Sequence, residues 1–170
     1  MSNARGGYDR RTSLTLIDTA GQERFMSMTP SKIREARGVF FVFDSTSKES
    51  YTLLERWARI VADANDTCCR MLVANKMDLY KKLMPEEQWM NKLDWNKEAE
   101  RLGCSDGFFC VSAADGDNID SMVVEMVDAA IDLEDRIVEE AKAAKIDISM
   151  PSAKVDLRRK SVSSNKDCKC

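Results

Sequence analysis

The sequence contains no histidine, and it has only 7 glycines and 3 prolines among its 170 residues. It also lacks any run approaching the roughly 20 apolar residues of a membrane-spanning helix. Without histidine there is no Ser-His-Asp or Cys-His nucleophile, no His-ligated zinc and no imidazole switch near neutral pH. Any chemistry must use carboxylates, amides, backbone groups or a bound metal ion. Strong charge of one sign is missing too: 26 Lys and Arg face 29 Asp and Glu, a net charge of −3. A nucleic-acid partner is therefore not expected. The 6 cysteines form no C-x-x-C pair and no disulfide framework. The first residues, MSNARGGYDRR, hold no apolar signal segment. A reduced, cytoplasmic protein is expected, with Cys68, Cys69, Cys104 and Cys110 as small core residues.

What is present is an ordinary globular balance of 44% hydrophobic and 32% charged residues. The length suits one domain with a tail. Residues 13–17, SLTLI, alternate polar and apolar and predict a strand. GVFFVFD at 38–44, RMLVAN at 70–75 and GFFCV at 107–111 are short apolar runs, the first ending in an acid. Such runs are the mark of parallel strands covered on both faces. Between them, residues 47–64 and 118–145 place their apolar residues on one helical stripe, and a short helix is predicted near 96–102. Asp117 or Asn118 is a candidate cap for the 118–145 helix. Residues 79–95 are expected to form a loop with some helical turn. Strands alternating with helices predict an α/β fold with a parallel sheet. Residues 146–170 lose periodicity and form a separate tail. Over residues 151–170, six Lys and Arg outnumber two Asp.

Directly after SLTLI the chain reads Asp18-Thr19-Ala20-Gly21-Gln22-Glu23-Arg24-Phe25. An acid at a strand's carboxyl end can hold a hydrated Mg²⁺, and a glycine beyond it can bring its N–H to a terminal phosphate. An ordinary strand-to-loop turn uses the same residue types. The full string, however, is the switch-II signature of Rab-type small GTPases. Asn75-Lys76-Met77-Asp78 follows the third strand and is similar to that family's guanine-specifying N-K-x-D. A carboxylate there accepts two hydrogen bonds from the guanine edge and rejects adenine, which has no matching donors. Ser112-Ala113-Ala114 resembles the family's S-A-K loop, with Ala114 in place of the lysine. The chain ends Cys168-Lys169-Cys170, which resembles the doubly geranylgeranylated Cys-x-Cys ending of Rab proteins.

The resemblance to the Rab family of small GTPases carries expectations. The fold is a P-loop NTPase-like sheet with flanking helices, residues 1–145 being a partial GTPase domain and 146–170 a flexible basic tail. Asp18 would hold Mg²⁺ through water, Gly21 would contact the γ-phosphate, and Gln22 would orient the attacking water. Thr19 and Ala20 would line the nucleotide beside them. Asn75, Lys76 and Asp78 would bind guanine, assisted by the Ala113 backbone and by Ser112 and Ala114. GTP or GDP with Mg²⁺ is the implied ligand set. Implied partners are effectors, exchange factors, activating proteins, the prenylation machinery and a GDP-dissociation inhibitor. The implied location is cytoplasmic, on the cytosolic face of endomembranes, through lipids on Cys168 and Cys170.

One family motif is missing. No G-x-x-x-x-G-K-[ST] string occurs anywhere in the sequence, and no switch-I threonine can be identified. In the family, the P-loop strand lies between the strands matching SLTLI and GVFFVFD. Its absence, with that of the first helix, would leave two interior strand edges unpaired. The chain is thus expected to be an N-terminally shortened GTPase that is inactive alone as a GTP hydrolase. The alternative is a lipidated, non-catalytic Rab-like interaction module that binds no nucleotide.

Overall fold

The computed structural model describes residues 13–18 and 29–144. Its elements run α1 (Thr29–Glu35), β1 (Gly38–Asp44), α2 (Lys48–Thr52), α3 (Leu54–Ala64), β2 (Cys69–Asn75) and α4 (Met77–Tyr80). A 3-10 turn (Trp89–Lys92), α5 (Trp95–Arg101), β3 (Phe108–Cys110) and α6 (Ile119–Ala143) complete them. Among the described residues the sheet has the order β1-β2-β3 and is parallel throughout. Gly38 pairs with Cys69, Asp44 with Asn75, and Leu72 with Phe108. The α/β reading holds, and these strands lie where the apolar runs predicted them.

Both faces of the sheet are covered, which is why the runs are unbroken. Phe41, Phe43, Leu72, Ala74, Phe108 and Cys110 pack with Tyr51, Leu54, Val61, Ala99 and Leu102 from the helices of one face. Cys69 and Met71 turn the other way, onto Met126 and Leu133 of α6. Each strand thus alternates between two cores rather than between core and water, apart from Val42 of β1. The four cysteines of the body, Cys68, Cys69, Cys104 and Cys110, are all buried free thiols.

The 47–64 helix forms in two pieces, α2 and α3, joined through Leu53 in helical conformation. Ser47 caps it by accepting from the Ser50 N–H, and Asp94 caps α5 by accepting from the N–H groups of Asn96 and Lys97. Asn118 stands at the N-terminus of α6 but does not cap it. Its φ of 60° is left-handed, and its amide donates instead to the Cys110 carbonyl at 2.8 Å. The 79–95 stretch is pinned by indoles. Trp89 Nε1 donates to the Ser45 carbonyl at 2.8 Å, and Trp95 stacks on Phe108 with centroids 4.7 Å apart.

Residues 13–17 are not a strand. They pair with no neighbour among the described residues, and Leu14, Leu16 and Ile17 are all exposed. Between them and β1 lies a cavity of about 970 Å³, walled by α3 through Trp57 and by α6 through Met126 and Ile131. Period-two alternation specifies a face to bury and edges to pair. Among the described residues no strand edge pairs with this segment, so the pattern stays unexpressed. The same cavity leaves Val42 of β1 half exposed. No described helix is long and apolar enough to cross a membrane.

Candidate functional site

The carboxyl ends of the parallel strands converge, and in open α/β sheets that end is where ligands bind. β2 ends at Asn75, and the chain then turns through Lys76 in the left-handed conformation, φ 63° and ψ 36°, before α4 begins at Met77. This sharp reversal puts the Asn75, Lys76 and Asp78 side chains at the mouth. The turn is fastened to the segment after β3, because the Met77 N–H donates to the Val111 carbonyl at 3.1 Å.

Two side chains stitch the halves of the mouth together. Asn75 Oδ1 accepts from the Lys76 N–H at 2.7 Å and from the Ala113 N–H at 3.1 Å. Ser112, fully buried, donates its hydroxyl to Asp78 Oδ1 at 3.0 Å. The same hydroxyl accepts from the Asp115 N–H at 3.2 Å. Residues 112–117 close into a tight loop through a Ser112–Asp117 bridge, with Gly116 at φ 81° where a side chain would be strained. A carboxylate has about four lone-pair sites, so Asp78 retains acceptor capacity beyond the Ser112 bond.

The end of β1 joins the same cluster. Asp44 Oδ2 pairs with Lys76 Nζ at 2.7 Å, while Oδ1 accepts from the Thr46 N–H at 2.9 Å and its hydroxyl at 2.7 Å. Partial burial would raise the Asp44 pKa. The bonds from Lys76 and Thr46, with the lysine's charge, outweigh it and hold the carboxyl below its ordinary range. Sequence reasoning did not include Asp44 in the site. The signal was the acid that ends an apolar strand, but nothing local pairs it with a lysine 32 residues onward.

The predicted residues therefore separate into three groups. Asn75, Lys76, Asp78, Ser112, Ala113 and Ala114 come together, with Ala113 and Ala114 exposed. Asp18 is exposed and lines the cavity beyond β1. Thr19, Ala20, Gly21, Gln22, Cys168 and Cys170 lie outside the described residues. No group of three or more Asp, Glu, Cys or His among the described residues could hold a metal ion. Among the described residues, Asp18 alone does not make a Mg²⁺ site.

A parallel sheet whose strand ends carry N-K-x-D beside a serine loop defines a nucleotide-binding class, and comparison with known proteins agrees. Residues 4–132 match the Ras family, and the chain belongs to that family. Its relatives lie on the Rab branch, and the chain is a Rab-family small GTPase by descent. It is 31% identical over 172 residues to Ras-related protein Rab-27B of Rattus norvegicus, covering 99% of this chain and 74% of the relative. It is 42% identical over 80 residues to Rab-18 of Caenorhabditis elegans, covering 46% of this chain and 39% of that protein. With RABC2a of Arabidopsis thaliana it shares 32% over 142 residues, 82% of this chain and 64% of the relative. The matches to Rab-18 and RABC2a thus span less than two thirds of those proteins.

Proposed function

We propose that this chain recognises guanine nucleotides as part of a Rab-type GTPase switch in vesicle traffic. The observation that carries the reading is the joined cluster of Asn75, Asp78, Ser112 and Ala113 at the strand ends. Asp78, aimed by the buried Ser112 hydroxyl, accepts from the two adjacent N–H groups of a guanine edge. Adenine offers no such pair, and leaving a shielded carboxylate unmatched is costly. The Ala113 N–H donates to Asn75 in this structure, so an incoming guanine oxygen shares or takes over that donor.

Family membership implies GTP or GDP and Mg²⁺ binding in general. GTP hydrolysis rests on Gln22, assigned by resemblance, and on a phosphate cradle that no G-x-x-x-x-G-K-[ST] string in the 170 residues supplies. Turnover is accordingly expected only with such a loop provided. Effectors, exchange factors, activating proteins, prenylation machinery and a GDP-dissociation inhibitor are partners of the same reading. So is attachment to the cytosolic face of endomembranes by lipids on Cys168 and Cys170, which changing both to serine would abolish.

The test is a titration of the isotopically labelled chain with GDP and, separately, ADP, followed by amide NMR. GDP is expected to shift Asn75–Asp78 and Ser112–Ala114, with ADP far weaker. Equal responses to both nucleotides, or none to GDP, would overturn the reading.

A further inference from the structure

Lys76 is a non-glycine residue at φ 63°. Such a conformation is strained and persists only where the surroundings over-determine it. Asn75 holds the Lys76 backbone N–H on one side. On the other, the Lys76 ammonium is tied to Asp44, which comes from a different strand. Asp44 is itself anchored, because Thr46 bonds it twice and Ser50 Oγ accepts from its backbone N–H at 3.1 Å. The carboxylate divides its labour by atom: Oδ1 serves Thr46, and Oδ2 serves Lys76.

We infer that Asp44 is a positioning residue for base recognition, clamping Lys76 in its left-handed turn so that Asn75 and Asp78 face the guanine edge together. The inference rests on the guanine reading above. Asp44 acts through Lys76 and does not touch the base. It joins the end of β1 to the β2 turn, so that all three strand ends share one polar network.

The division between the two oxygens supplies a selective test. Asp44→Asn keeps an amide oxygen for Thr46 while removing the charge that faces Lys76. Partly exposed ion pairs are worth up to about 1 kcal/mol, so GDP affinity is expected to fall roughly three- to fivefold. In a Lys76→Met background, adding Asp44→Asn is expected to cost nothing more. The Lys76 Cα and Cβ chemical shifts of the nucleotide-free chain report the left-handed turn directly, and Asp44→Asn is expected to move them. Unchanged GDP affinity in Asp44→Asn would overturn the inference, and so would an equal loss in both backgrounds. If the unaltered chain shows no GDP response, the guanine reading fails. The shifts then decide separately: if they move in Asp44→Asn the clamp on Lys76 stands, and if they do not the clamp falls too.

Discussion

Replacing Ser112 with alanine removes a single oxygen, yet it tests stability and recognition together. The hydroxyl is fully buried, donates to Asp78 at 3.0 Å and accepts from the Asp115 N–H at 3.2 Å. A net hydrogen bond to a charged group contributes about 1.5–3 kcal/mol when both partners are shielded. Asp78 is only half buried, so water recovers part of that loss. About 1–2 kcal/mol of destabilisation is expected. With a urea slope of about 1–3 kcal/mol per molar, the unfolding midpoint falls by roughly 0.5–1 M. Trp89 and Trp95 sit in the core beside β1 and report unfolding by fluorescence. GDP affinity is expected to fall as well, by up to about tenfold, because Asp78 loses the donor that aims it. A Ser112→Ala protein with an unchanged midpoint and unchanged GDP affinity would refute the assigned role. A lower midpoint with full affinity would show that Asp78 is held by something else.

Asp78→Asn places a donor beside an acceptor, so binding is expected to shift from GDP towards xanthosine diphosphate, whose 2-oxo group accepts; competition titration checks it. Alkaline pH is expected to destabilise the fold. Burial, then the bond to Glu98, pushes Tyr51 up to about 12, and burial pushes Cys104 up to about 12. Both raised values stabilise fully below the ordinary pKa, and that stabilisation is lost as pH climbs through the folded one. The urea midpoint should therefore drop from about pH 9 upward, and a flat profile would count against it. Gly38→Ala would set a Cβ against Met126 Sδ of α6 and is expected to cost about 1–3 kcal/mol, with Met126→Ala relieving the clash in a double mutant.

The sequence revealed the described strands because each is buried on both faces, and that leaves an uninterrupted apolar string. It misled at SLTLI, since alternation declares what a strand would bury and not whether a neighbouring edge exists. It was silent about α1, where Ile33 is the one buried residue among those whose burial is described. That single anchor gives no period to detect. In the site, Asn75, Lys76 and Asp78 were legible as a motif, and so was the serine loop. Their joining was not. The Ser112–Asp78 and Ala113–Asn75 bonds cross 34 and 38 residues and exist only because β2 and β3 are neighbours in the sheet. The left-handed turn at Lys76 was equally hidden, because lysine has no preference for it.

The two ends of the expected nucleotide site differ in how they are supported. The base end is built on the carboxyl ends of β2 and β3, and β2 is the most deeply buried strand, with Met71, Leu72 and Ala74 fully enclosed. Its loops are fixed by the Ser112–Asp78 and Ala113–Asn75 hydrogen bonds and by the Asp44–Lys76 ion pair at the end of β1. The opposite edge, where Asp18 lies, borders the cavity of about 970 Å³ and exposes Leu14, Leu16, Ile17 and Val42. A β1 edge with no partner strand among the described residues, beside an apolar hollow, is where local opening costs least. The proposed base recognition is therefore not expected to depend on that edge being filled, because its geometry is set at the carboxyl ends of the three strands. Charge stabilisation of phosphates has no such independent frame among the described residues. This asymmetry is why guanine discrimination at low affinity, rather than tight binding or turnover, is the property to measure in this chain.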